Sequence, residues 1–325
     1  MQSETNIGLT SMRGVAAWGE RLTAHGGYPF LLFCACLMDL RRTIAIALAR
    51  SHDGGVYAVF DELNFLVFAQ WFCLIEIARR IDWSRVRATR LERAALVAFA
   101  FYAGFLVPTQ SHVLTAMLGV WIALKVGRVS REAWALAVPL VLVSVQDVPS
   151  KDFWGISLAA MMVPVDVFGA HSLLRLAGYA VNPIEGDVLR LASQFHGIRV
   201  IPSCSSIVPA FESVAAYSVF AAWQRAAMGR RLVICGFLLL LGVTLINWAR
   251  LALTTLSHDS YVFWHDGGGR VMISLSYLIL AFLLAEVAAR EKHESARGPD
   301  SPGAPGYEPP RSADRGQQER ATEST

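Results

Sequence analysis

The chain has 325 residues, of which 54% are hydrophobic and only 17% are charged, and its mean hydropathy is +0.42. An ordinary soluble domain carries a larger share of charged residues, so the composition excludes that class and indicates a polytopic membrane protein. The net charge is only +3. The arginines cluster in a few loops, which is typical of membrane topology signals and not of nucleic-acid binding.

Apolar windows predict an all-α polytopic membrane protein with about eight transmembrane helices, on the criterion that a span needs ~20 residues. The windows lie near 28–49, 56–78, 94–108, 111–126, 132–148, 206–224, 232–250 and 271–289. The first contains Asp39, Arg41 and Arg42, whose charges are costly near a bilayer centre. Residues 1–27 have no long apolar run and are predicted to be a cytoplasmic N-terminal segment without a cleaved signal peptide.

A further apolar stretch, 153–177, is interrupted by Pro164, Asp166, His171 and Arg175. These residues predict an interfacial or re-entrant segment instead of a full span. Between Gly178 and Ser203, alternating apolar residues predict a short hairpin on the outer face, ahead of Cys204.

The distribution of Lys and Arg predicts the orientation of the spans. Basic residues are concentrated in 79–93, 125–131 and 225–231, which should therefore be cytoplasmic, whereas 108–112 and 251–269 contain neither Lys nor Arg. Alternation of the spans then predicts that Cys204, Arg250 and His265 reach the same outer face.

Cys204 is the candidate nucleophile. The cysteines at 34, 36, 73 and 235 lie in apolar stretches, and the five together show no zinc or disulfide spacing. Cys204 lies in a polar loop at a predicted helix start, where free backbone amides favour a thiolate. The alternative is an incidental buried cysteine. We expect no cofactor and no metal.

Two further groups complete the chemistry that cysteine-based acyl transfer needs. Arg250 ends the predicted helix 232–250 and forms a polar pair with Asn247, although an arginine at a helix end also snorkels to the membrane surface for purely structural reasons. His265 precedes a glycine run and is followed by Asp266, which could hold its tautomer. His258 in His258-Asp259 is the competing base, and His196 is a further histidine close to the cysteine loop.

These residues, in this order, resemble the exosortase/archaeosortase family of membrane cysteine transpeptidases. The likeness covers about 153–289, including Leu-rich 173–178 and the Asn-Pro-Ile-Glu-Gly-Asp-Val segment 182–188. One departure is Cys204-Ser205-Ser206, where the family usually has Cys-Ser-Gly or Cys-Ala-Gly. The departure predicts a divergent subfamily with its own sorting signal.

The resemblance implies that Cys204 is the nucleophile, that Arg250 stabilises the thiolate or the oxyanion, and that His265 is the general acid/base. Asn247 and Asp266 would support them. It implies cleavage of the C-terminal sorting signal of exported proteins through a thioester, in the bacterial inner membrane, with the active site on the extracytoplasmic face. The substrates would carry a C-terminal motif, a transmembrane helix and a basic tail, and the acceptor would be water or an amine on a lipid or polysaccharide.

Four regions are then expected: the N-terminal segment 1–27, an N-terminal transmembrane bundle over 28–152, an exosortase-like catalytic core over 153–292, and a disordered cytoplasmic tail over 293–325, which is rich in Pro, Gly and Ser. The lipid bilayer is an expected partner and nucleic acid is not. The alternative from another class is a non-enzymatic transporter or an assembly factor for exopolysaccharide export. A plain protease of the same cysteine type differs only in the acceptor.

Overall fold

The computed structural model describes residues 35–36, 65–83, 108–126, 131–146, 153–181 and 190–296, with isolated positions between 89 and 98. Over these residues the chain forms eight α-helices and one two-stranded sheet. The elements are α1 (Phe65–Arg79), α2 (Pro108–Val126), α3 (Arg131–Val145), α4 (Phe153–Leu176), β1 (Arg190–Ala192), β2 (Gly197–Arg199), a 3₁₀ turn (Pro202–Cys204), α5 (Ile207–Trp223), α6 (Arg230–Thr254), α7 (His258–Tyr261), a π-helical turn (Val262–Asp266) and α8 (Gly268–Ala296).

The architecture is that of an all-α multi-pass membrane protein. Among the described residues, three helical stretches are long and apolar enough to cross a membrane: Ile156–Leu176, Arg230–Thr254 and Gly268–Arg290. Shorter apolar helices cover Thr115–Lys125, Ala133–Val145 and Ile207–Trp223. Large apolar side chains stay exposed on α6 and α8, as expected for surfaces that face lipid. The count of about eight spans stays a prediction, because 28–49 and 94–107 lie mostly outside the described residues.

The break predicted within 153–177 is wrong, whereas the interfacial position predicted for this segment stays a prediction. The structure has a continuous helix, α4, with Pro164 inside it, and by length and composition it qualifies as a span. Asp166 does not break the helix, because its carboxylate is fully buried and hydrogen-bonded to neighbouring elements. The helix ends at Gly178, whose φ of 83° suits a glycine and allows Tyr179 N–H to donate to the Leu174 carbonyl at 3.0 Å.

Helix α5 lies at the centre of the bundle and packs against α1, α3, α6 and α8. Its buried positions include many small residues, which let neighbouring backbones approach closely. They are Ala210, Ser213, Ala215, Ala216 and Ala221.

The two ends of α5 differ in chemistry. At its C-terminal end, Arg80 Nη1 donates to the Trp223 carbonyl at 2.6 Å, so this arginine lies beside the start of the basic segment 225–231. Cys204 precedes the N-terminal end, about 25 Å away along 17 residues of helix. The candidate nucleophile and Arg80 therefore lie at opposite ends of α5.

The hairpin predicted ahead of the cysteine is confirmed. Strands β1 and β2 pair antiparallel, with Arg190 opposite Arg199 and Leu191 opposite Ile198. Leu191 is buried in the same apolar cluster as Cys204, so the hairpin packs beside the cysteine. The segment 182–188, which carries part of the family resemblance, lies outside the described residues.

At the C-terminus, α8 continues to Ala296, so the first four residues of the region predicted as a tail, 293–325, are helical. The remainder of that region lies outside the described residues.

Candidate active site

Cys204 is the last residue of a 3₁₀ turn that directly precedes α5. Pro202 begins the turn with a fixed φ, and the Cys204 N–H donates to the Ile201 carbonyl at 2.8 Å. The residue is buried, with 9% of its surface exposed. Sequence analysis placed Cys204 at the helix start, and the structure places it three residues before the first residue of α5, Ile207.

A buried carboxylate, Asp166 of α4, anchors the residues that follow the cysteine. It accepts hydrogen bonds from Ser205 Oγ at 2.9 Å, from the Ser206 N–H at 2.9 Å and from Trp248 Nε1 at 3.0 Å. The three donors come from the cysteine segment and from α6, so one side chain joins three parts of the fold. Sequence reasoning took Asp166 as an interruption and missed this role, although a lone carboxylate in an apolar segment was the available signal.

Gly169 lies one turn after Asp166 and allows the Trp248 indole to lie against α4. A Cβ at position 169 would come within 2.1 Å of Trp248 Cδ2. Any larger residue would therefore push the indole away from the carboxylate that it donates to.

Asn247 of α6 contacts the backbone of Cys204. Its Nδ2 donates to the Cys204 carbonyl at 3.0 Å, and the Asn247 side chain is fully buried. Asn247 thus holds the backbone of Cys204 in place. Sequence analysis paired Asn247 with Arg250 and did not foresee this contact.

Arg250 lies one turn after Asn247 on α6, which continues to Thr254. The prediction that Arg250 ends this helix is therefore wrong: a further turn of helix follows it. Its Nε is buried and has no hydrogen-bond partner among the described residues. Arg250 is thus not a freely exposed side chain at the end of a helix.

One cavity of about 410 Å³ brings the three predicted groups together, because Cys204, Arg250 and His265 all line it. Six further polar residues line its wall: Ser203, Glu212, Asp266, Arg270, Ser274 and Tyr277. Sequence reasoning missed Glu212, Arg270 and Tyr277, since each reaches the cavity only through the packing of α5 against α8. Among the described residues, no cluster of His, Cys, Asp or Glu forms a site for a metal ion.

His265 belongs to the π-helical turn between α7 and α8, an irregular geometry that is frequent at functional sites. Its Nδ1 lies 2.7 Å from Asp266 Oδ1, which leaves Nε2 as the nitrogen for proton transfer. Position 269, four residues after His265, requires a glycine, because a Cβ there would lie 2.6 Å from Trp264 Cε3.

Tyr261 stacks on the His265 ring, with centroids 4.8 Å apart and an interplanar angle of 12°. Burial raises the pKa of the Tyr261 phenol, and the acidic groups of Asp266 and Cys204 raise it further, while Arg250 lowers it. Tyr261 therefore stays neutral at physiological pH and acts as a packing surface for the imidazole.

The alternative histidines lie elsewhere. His258 contacts the His196 ring at 6.0 Å between centroids, and His196 also lies 5.9 Å from Tyr261. Neither His258 nor His196 lines the cavity that contains Cys204. Because His265 lines this cavity and His258 does not, the structure favours His265 as the catalytic base, and this assignment stays a prediction.

Comparison with known proteins decides the family. The family model described as transmembrane exosortase matches residues 60–282, which is more than half of the 325 residues. The chain belongs to the transmembrane exosortase family. The family resemblance seen in the sequence is confirmed. The matched residues begin at 60, well before the region 153–289 in which the sequence motifs lie. No curated protein and no solved structure is significantly similar to the chain.

Proposed function

We propose that this exosortase is a membrane cysteine peptidase or transpeptidase that cleaves the C-terminal sorting signal of exported proteins. The observation that carries the proposal is the cavity lined jointly by Cys204, Arg250 and His265, three side chains from three separate elements. A thiol, an imidazole and a guanidinium in one cavity supply a nucleophile, a proton shuttle and a cation for developing negative charge.

In the first step the Cys204 sulfur attacks the carbonyl carbon of the scissile peptide bond, and the thiol proton passes to His265 Nε2. A C–S bond forms and the carbonyl oxygen becomes an oxyanion, which Arg250 stabilises. Asp266 keeps the imidazole oriented and balances its positive charge through the 2.7 Å contact with Nδ1.

In the second step the tetrahedral intermediate collapses and the C–N bond breaks. His265 gives its proton to the departing amine, and the acyl group remains on Cys204 as a thioester. An amine acceptor or water then attacks the thioester, which releases the processed protein and restores the thiol.

The expected substrate is an exported protein that carries a C-terminal motif, a transmembrane helix and a basic tail. The position of Cys204 at the end of α5 opposite Arg80 and the basic segment 225–231 supports an extracytoplasmic active site in the bacterial inner membrane. The amine acceptor belongs to a lipid or a polysaccharide, or water takes its place.

The test is processing of a co-expressed protein of this kind by the wild type, Cys204→Ala and Cys204→Ser, followed by immunoblot. We expect both variants to lose processing while their membrane levels stay normal. Cys235→Ala is the matched control, because Cys235 is also buried but lies within α6 and outside the cavity lining. Unchanged processing by both Cys204 variants would refute the catalytic role and favour an assembly factor.

A further inference from the structure

Tyr277 of α8 is a buried polar residue in the wall of the same cavity. It lines the cavity with Cys204 and Arg250, yet only 6% of its surface is exposed. Its Oη is shielded from solvent and has no hydrogen-bond partner among the described residues. Arg250 and Glu212 line the same cavity, so Tyr277 lies in a polar part of the bundle.

A buried hydroxyl without a partner is destabilising, so such groups are rare in folded proteins unless they have a role in function. The second buried tyrosine of this bundle shows the usual arrangement. Tyr217 has the same exposed fraction of 6%, and its Oη donates to the Leu232 carbonyl at 2.7 Å. Tyr277 Oη has no such acceptor among the described residues, and Tyr277 lines the cavity that Cys204 and Arg250 also line.

We propose that Tyr277 is a further catalytic residue whose hydroxyl donates a hydrogen bond to the carbonyl oxygen of the substrate as it becomes an oxyanion. The proposal rests on the proposed function, since it needs Cys204 to attack an acyl carbon. Tyr277 and Arg250 together form the oxyanion site. A phenol suits a wall of α8 inside the bundle because, unlike a second guanidinium, it adds no charge that must be desolvated.

The test compares two reactions of Cys204 in purified protein. In the first, p-nitrophenyl acetate acylates the thiol: a C–S bond forms, the ester C–O bond breaks, p-nitrophenolate leaves, and the thiol proton passes to His265. In the second, iodoacetamide alkylates the thiol by displacement at a saturated carbon, where no oxyanion develops. Cys204→Ala gives the background from the other cysteines in both assays.

Tyr277→Phe removes the hydroxyl and keeps the ring. We expect acylation to slow by about 100-fold, as for loss of an oxyanion-site donor, while alkylation stays within about twofold of the wild type. The melting temperature should stay level or rise, because the variant removes an unpartnered polar group. Tyr217→Phe is the matched control: it should acylate at the wild-type rate and melt lower, because it removes the hydrogen bond from Tyr217 Oη to the Leu232 carbonyl.

Acylation at the wild-type rate by Tyr277→Phe would overturn the inference, and so would equal slowing of acylation and alkylation, which would indicate a structural role. Absence of Cys204-dependent acylation in the wild type would also overturn it. The proposed function fails separately, when Cys204→Ala still processes the co-expressed substrate. The two failures are therefore distinguishable.

Discussion

Asp166→Ala removes the carboxylate that joins α4, the cysteine segment and α6. The side chain is fully buried and accepts three hydrogen bonds of 2.9, 2.9 and 3.0 Å. Hydrogen bonds to a charged group contribute about 1.5–3 kcal/mol each, so the gross loss is about 5–9 kcal/mol. Removing a buried charge returns several kcal/mol of desolvation energy, which leaves a net destabilisation of about 2–4 kcal/mol.

Thermal unfolding in detergent, followed by tryptophan fluorescence, measures this change. At about 2–4 °C per kcal/mol, the melting temperature should fall by roughly 5–15 °C. Ser172→Ala is the matched control on the same helix, because its exposed hydroxyl bonds only to the Phe168 carbonyl within α4 and its loss should cost less than about 0.5 kcal/mol. Equal melting temperatures for the two variants would refute the reasoning that Asp166 anchors the cysteine segment.

Two further predictions concern the base and the packing. His265→Ala should slow substrate processing by about 10²–10⁴-fold, as expected for loss of a general acid/base. His258→Ala should process the substrate at close to the wild-type rate. The reverse order in the immunoblot assay would make His258 the base. Gly169→Ala should cost about 1–3 kcal/mol, since its Cβ would lie 2.1 Å from Trp248 Cδ2. Gly236→Ala is the control, because its Cβ would lie 3.8 Å from Tyr217 Cε1, and it should melt at or above the wild-type temperature. A similar fall in melting temperature for both variants would contradict the argument from close packing.

Helix positions after Cys204 were predictable because the apolar windows there are long and end at charged or glycine-containing loops. The windows 206–224, 232–250 and 271–289 correspond to Ile207–Trp223, Arg230–Thr254 and Gly268–Ala296. Helix ends were less predictable. The helix continues for one turn after Arg250, through Leu251, Ala252, Leu253 and Thr254, because the charge of an arginine does not by itself end a helix.

Asp166 shows why the segment before the cysteine was misread. In sequence, a carboxylate among apolar residues marks an unfavourable position for a continuous helix. Its partners, Ser205 and Trp248, are 39 and 82 residues further along the chain, so nothing local indicates that the charge is satisfied. Only the packing of α4 against the cysteine segment and α6 supplies the donors.

The sequence by itself determined the membrane class, the family, and the candidates Cys204, Arg250 and His265, because hydropathy and motif order are properties of the chain. Tertiary structure alone decided which polar groups share a cavity. Glu212 and Tyr277 reach it from two helices that are far apart in sequence, and Asn247 reaches the Cys204 carbonyl across 43 residues. Such contacts depend on how helices rotate and cross, and that is fixed by close packing, such as that of the Trp248 indole against the backbone at Gly169.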